Sequence, residues 1–125
     1  MPKYLFMVSY TAEGAKGVLK DGGSKRRAAA EKAAKAVGAR VESFYFAFGD
    51  ADAIVIAEAP DHASIAAVSL AVAASGGARI KTVVLMTPEE MDQAAKKTVG
   101  YQPPGKVRSP AGSPSAGPVT RGGAQ

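Results

Sequence analysis

Cysteine is missing from the 125 residues. Its absence removes disulfide frameworks, thiolate nucleophiles and cysteine metal ligands together. Tryptophan is missing too, and histidine occurs once, as His62. With a single imidazole, a zinc or haem site lacks ligands unless His62 from two copies converges, and a Ser-His-Asp arrangement would rest on that one residue. No metal and no cofactor is expected. Long apolar runs are also lacking. The most apolar stretch, residues 63–74, is interrupted by Ser64 and Ser69 and is too short for a bilayer. Met1-Pro2-Lys3 leads into an apolar segment shorter than the core of a secretion signal. A soluble, cytoplasmic protein with no membrane partner is the expectation.

Acidic residues are absent after residue 98, where Lys106, Arg108 and Arg121 lie. Much of the net charge of +5 therefore belongs to the tail, and the preceding body is nearly balanced. A high pI points to nucleic acid when the cations cluster on a folded domain, so that reading is weakened here. Residues 99–125 are rich in proline, glycine and serine, with too little apolar content to offset the entropy of ordering. They read as a disordered tail beside a domain of residues 1–98. Pro110, Pro114 and Pro118 suit an extended linker. Tyr101-Gln102-Pro103-Pro104 is a candidate docking motif for a protein partner, and Ser109-Pro110 and Ser113-Pro114 are candidate modification sites.

What is present reads as alternating strands and helices. Residues 3–10 are aromatic and apolar, a strand. Thr11 caps a helix with Glu13 in its first turn. Gly22-Gly23 breaks it, and Ser24 is placed to cap a second, alanine-rich helix that stops at Gly38. Residues 40–48 and 53–59 form two strands joined as a hairpin at Gly49-Asp50. Asp61 caps a helix to about Ala74, ended by Gly76-Gly77. Residues 79–86 are a fourth strand, and Thr87-Pro88-Glu89-Glu90 is a capping box with proline at the first helical position. The order β-α-β-β-α-β plus a terminal helix predicts an α+β, ferredoxin-like fold with helices on one face of a four-stranded antiparallel sheet.

Alternation places Tyr4, Phe6, Val8 and Tyr10 on one side of the first strand and Leu5 and Met7 on the other. In the second strand it sets Phe44, Phe46 and Phe48 against Val41, Tyr45 and Ala47, and in the third Ile54 and Ile56 against Ala53, Val55 and Ala57. Both faces are apolar, and helices cover one. The other would exceed the roughly 300–600 Å² apolar patch of ordinary monomers. A second copy, sheet against sheet, is the expected cover; the terminal helix, through Met91, Ala94 and Ala95, is the alternative.

Three features carry candidate chemistry. Gly22, Gly23, Ser24, Lys25 and Arg27 stand at a helix start, where exposed N–H groups and the helix dipole favour an anion; the glycine spacing is not that of a nucleotide-binding P-loop. The bland reading is a solvated basic helix start. Asp50 and Asp52 in the hairpin could hold a cation or exchange protons, although acidic residues are also ordinary turn formers. A cleft between sheet and helices would be lined by Tyr10, Tyr45 and Phe46, with Asp52 and His62 as its polar groups. His62 follows a helix cap and reads first as an exposed first-turn residue. Glu42 and Glu58 fall on neighbouring strands, near enough to couple, although the pattern fits equally well with both facing solvent. Pro2, once Met1 is removed, would offer a secondary amine of the kind that acts as a general base in tautomerases.

Several blocks in order resemble the GYD-domain family: Tyr4 to Gly17, Gly22-Gly23-Ser24 with Arg27, Phe44-Tyr45-Phe46-Ala47-Phe48-Gly49-Asp50, Pro60-Asp61, and Leu85-Met86-Thr87-Pro88-Glu89-Glu90. The resemblance covers about residues 3–98. It implies a ferredoxin-like, dimeric α/β-barrel fold and no particular activity. Ala51 stands where the family's naming tyrosine lies. The functional expectation is a dimeric module binding a small molecule or a protein partner, with a small anion at the helix start as a separate candidate ligand. Cofactor-independent monooxygenases and isomerases sharing this fold are the competing class, and would use Tyr10, Tyr45, Asp52 or His62. RNA binding comes last, because the aromatic signature strand of RNA-recognition modules is missing.

Overall fold

The structure, a computed structural model, describes residues 1–105. Its elements run β1 (Lys3–Tyr10), α1 (Ala12–Asp21), α2 (Gly23–Ala36), β2 (Arg40–Phe46), β3 (Ala53–Glu58), α3 (His62–Ser75), β4 (Ala78–Leu85) and α4 (Pro88–Ala95). The four strands form one antiparallel sheet in the order β2-β3-β1-β4, the ferredoxin-like arrangement expected from the order of elements. Among the described residues one unit comprises Met1–Glu89, and a second begins at Glu90. In the second unit, residues 99–105 form no helix or strand and are exposed, and Met91, Ala94 and Ala95 of α4 are exposed as well. The proline spacing after residue 109 and the two Ser-Pro pairs lie outside the described residues.

Local chemistry sets most element ends. The Thr11 hydroxyl accepts from the Gly14 N–H at 3.2 Å and so caps α1; Asp61 accepts from the Ser64 N–H at 2.8 Å and caps α3. Gly76 ends α3 with φ of 76°, a left-handed conformation that glycine adopts without a Cβ clash. The α1–α2 junction differs from expectation. Gly22, at φ 82°, closes α1 and opens α2, and no side chain caps α2. Ser24 is already inside the helix, because the positive-φ turn comes at Gly22 and the first helical residue is Gly23.

The core lies between the sheet and the helices: Tyr4, Phe6, Val55, Ala57, Ala59 and Ile65 form it, with Val8, Val41, Phe44 and Ile80 packed around. In β2 the register slips between Val41 and Ser43. This β-bulge places two residues of one strand opposite one of its neighbour, so Val41 and Phe44 both turn inward instead of facing opposite ways. The strand ends at Phe46, and Phe48 is fully exposed. On the remaining face Leu5 lies between Ile56 and Val83, and Met7 between Ile54 and Lys81, while Leu85 lies opposite Lys3; Tyr45 is opposite Ile54 and 70% exposed.

Candidate functional site

α2 packs over β2, and α3 over β4. The inward side of α2 is almost all alanine, so its methyl groups do not reach across to α3, and an open cleft of about 160 Å³ remains above the sheet. Ala29, Ala30 and Ala33 form one wall, Val68 and Val72 the other, and Phe6, Val8, Val55 and Ile80 line its floor. Only two lining residues carry polar side-chain groups, Tyr10 and Arg26. A second hollow of about 210 Å³ shares Tyr10, Arg26, Val72 and Ala78 with the first, and is otherwise walled by Gly14, Gly17, Ser75 and Gly77.

A family model of the GYD domain matches residues 4–95. The chain belongs to the GYD-domain family. No curated protein and no solved structure matches it.

Within this GYD domain the candidate cleft residues separate. Tyr10 lines the cleft. Tyr45 does not, because its register with Ile54 puts it on the opposite side of the sheet. Phe46 stays on the helix side, with its ring 5.3 Å from that of Phe44, but it packs toward Gly23: a Cβ there would come within 2.8 Å of the ring. Gly23 is therefore a close-approach residue. The Asp52 carboxylate accepts from the Tyr10 N–H at 2.8 Å, and its backbone bonds to Val8 and Ala47; it ties the hairpin to the end of β1. Asp50 is exposed in the turn, and Ala51, at the family's tyrosine position, is buried. Lys25 and Arg27 are exposed, whereas Arg26 between them is half-buried in the cleft wall.

His62 belongs to a pair that the sequence did not suggest. Its Nδ1 lies 2.6 Å from the Tyr4 hydroxyl, and the rings meet edge-on at 5.6 Å. Tyr4 is 1% exposed, so His62 supplies the partner that a buried phenol needs. Pro2 is held by its carbonyl, which accepts from the Ala59 N–H at 3.1 Å. Among the described residues no three His, Cys, Asp or Glu side chains gather closely enough to hold a metal ion, and no helix is long and apolar enough to cross a membrane.

Glu42 and Glu58 couple through a cation. Lys3 Nζ lies 2.8 Å from Glu42 and 3.7 Å from Glu58, and Arg40 reaches Glu58 at 2.6 Å. The Arg40 hydrogen bond holds the Glu58 carboxyl below its usual range, the Ser64 N–H does the same for Asp61, and the Glu42 hydrogen bond raises Lys3. A carboxylate depressed in the fold contributes fully above its unfolded value and loses that contribution as pH falls through the folded one. Lys3 contributes fully below its unfolded value and loses its part in strong alkali. The urea midpoint should therefore drop below about pH 4.5. In Glu58→Gln the drop should be shallower; an identical acid slope would show that the Arg40–Glu58 pair adds nothing.

Proposed function

We propose that this GYD domain is a dimeric module that binds a small, mainly apolar molecule in the cleft between α2 and α3. The observation that carries the reading is the cleft itself: an open, apolar space in the place where a domain of this size ordinarily packs its core solid. A volume of about 160 Å³ is close to that of an engineered apolar cavity in another protein that takes up benzene, so one ring or a short alkyl chain is the size of group that fits. The polar side chains at the cleft are a phenol and a guanidinium. A guanidinium only donates hydrogen bonds, no carboxylate lines the cleft, and the Asp52 carboxylate is engaged with the Tyr10 N–H. This set suits holding a ligand better than abstracting a proton, which favours binding over the monooxygenase or isomerase reading.

Self-association would go through the other face, where Leu5, Ile54, Ile56 and Val83 adjoin, with Met7 beside them. Native mass spectrometry of the purified chain tests both parts. Two subunits, and a bound small molecule that is lost in Ala30→Leu, are expected, since leucine at 30 fills the cleft. Ile56→Lys should yield single subunits. A wild-type mass of one subunit at micromolar concentration would end the dimer reading. Failure of apolar probes to bind, with Ala30→Leu behaving as wild type, would end the cleft reading.

A further inference from the structure

We propose that the ligand is an organic anion, with a ring-sized apolar body in the cleft and one carboxylate paired with Arg26. This rests on the cleft reading above and names the class of molecule that the cleft takes. Arg26 lies on the α2 stripe that faces the cleft, three, four and seven residues before Ala29, Ala30 and Ala33, a spacing that puts all four on one helix face. It is the only charged residue lining either hollow. Lys3, Arg40, Glu42 and Glu58 form ion pairs at the edge of the sheet, whereas Arg26 has no carboxylate within ion-pair distance among the described residues. The Tyr10 hydroxyl, in the same walls, likewise makes no hydrogen bond among the described residues.

A half-buried guanidinium without a counter-charge carries a desolvation cost that an anion relieves. Guanidinium geometry also matches a carboxylate with two parallel N–H donors. The second hollow has room for the head group, because glycines rather than side chains form much of its wall. Anion recognition thus moves from the exposed helix start at Lys25 and Arg27 to the residue between them, which alone shares a wall with the apolar space.

The competing structural role is simple: Arg26 lays its aliphatic stem along the groove and keeps its head in water. Titrating the full-length protein with phenylacetate and with phenylacetamide, its uncharged analogue, separates the two. NMR shifts of the Tyr10 ring report binding, and thermal melts confirm that each variant is folded. Phenylacetate should bind wild type at least about tenfold more tightly than the amide, the scale of one charge-assisted hydrogen-bonded pair. Arg26→Gln should bring the two affinities together while the amide still binds, and Lys25→Gln should leave the preference intact. Equal affinities in wild type would overturn the assignment of Arg26 and leave the apolar cleft standing. Loss of the preference in Lys25→Gln but not in Arg26→Gln would place the anion at the helix start and also overturn it. If neither probe binds, the cleft reading fails and takes this inference with it.

Discussion

Gly14→Ala destabilises the domain by about 2 kcal/mol or more, whereas Gly17→Ala, on the same helix, stabilises it by up to about 1 kcal/mol. Intrinsic helix propensity favours alanine at both positions by about 1 kcal/mol, so the local sequence predicts the same sign twice. The tertiary structure reverses one of them. A Cβ on Gly14 would sit 1.9 Å from the Gly77 carbonyl oxygen, while a Cβ on Gly17 meets nothing within 4 Å. The blocked space is backbone on both sides, and it is pinned: the Thr11 N–H donates to the Gly77 carbonyl at 3.0 Å, and the Thr11 hydroxyl donates to the Gly76 carbonyl at 2.8 Å. Neither chain can withdraw without losing those bonds. Urea denaturation of the two variants measures the difference directly. Two stabilised proteins would mean that α1 does not seat against the α3–β4 turn, and the wall of the second hollow would go with it.

The second large effect is at Tyr4. Tyr4→Ala should cost about 3–5 kcal/mol, the range for emptying a buried aromatic site, because Tyr4 is the largest fully buried side chain of the core. The hydroxyl adds a smaller, separable part. Tyr4→Phe removes the hydrogen bond and should cost about 1 kcal/mol. His62→Ala leaves the phenol buried without its partner, which costs about 1–3 kcal/mol. The double variant Tyr4→Phe, His62→Ala should be less destabilised than the sum of the singles, since each alone already breaks the same bond. Strict additivity would show that the 2.6 Å contact carries no coupling, leaving His62 as the exposed first-turn residue its sequence position suggests.

Much of the architecture was legible because its causes are local. The Thr11 and Asp61 caps, the glycines at 22, 38 and 76, and the strand-helix alternation act within a few residues of themselves, and all of them recur in the structure. The match to the GYD family over residues 4–95 agrees with the blocks that carried the resemblance. Side-chain alternation was reliable in β1 and β3 and failed in β2, where one extra residue near Glu42 resets the count. A bulge of this kind has no strong local signature, because its position is decided by pairing with β3.

The candidate site was legible only in pieces. Tyr10 is legible because alternation along the first strand sets it on the same side as Tyr4, Phe6 and Val8. The helix-start signal marks Lys25, Arg26 and Arg27 alike; the spacing of Arg26 to Ala29, Ala30 and Ala33 is what separates it from the other two. The role of Lys3 between Glu42 and Glu58, and the bond joining Tyr4 to a histidine 58 residues away, had no signal in the chain.

By itself the sequence determined the order of elements, most of their ends, and a sheet with apolar residues on both faces, because periodicity, caps and positive-φ glycines act over one or two turns of chain. Only the tertiary structure decided which way β2 faces, that α2 and α3 stand apart over the sheet, and that Arg26 is the cation which lines that gap among the described residues. Those outcomes depend on distances between segments remote in sequence, which the size of alanine methyl groups and the placement of one bulge set only once the sheet is assembled.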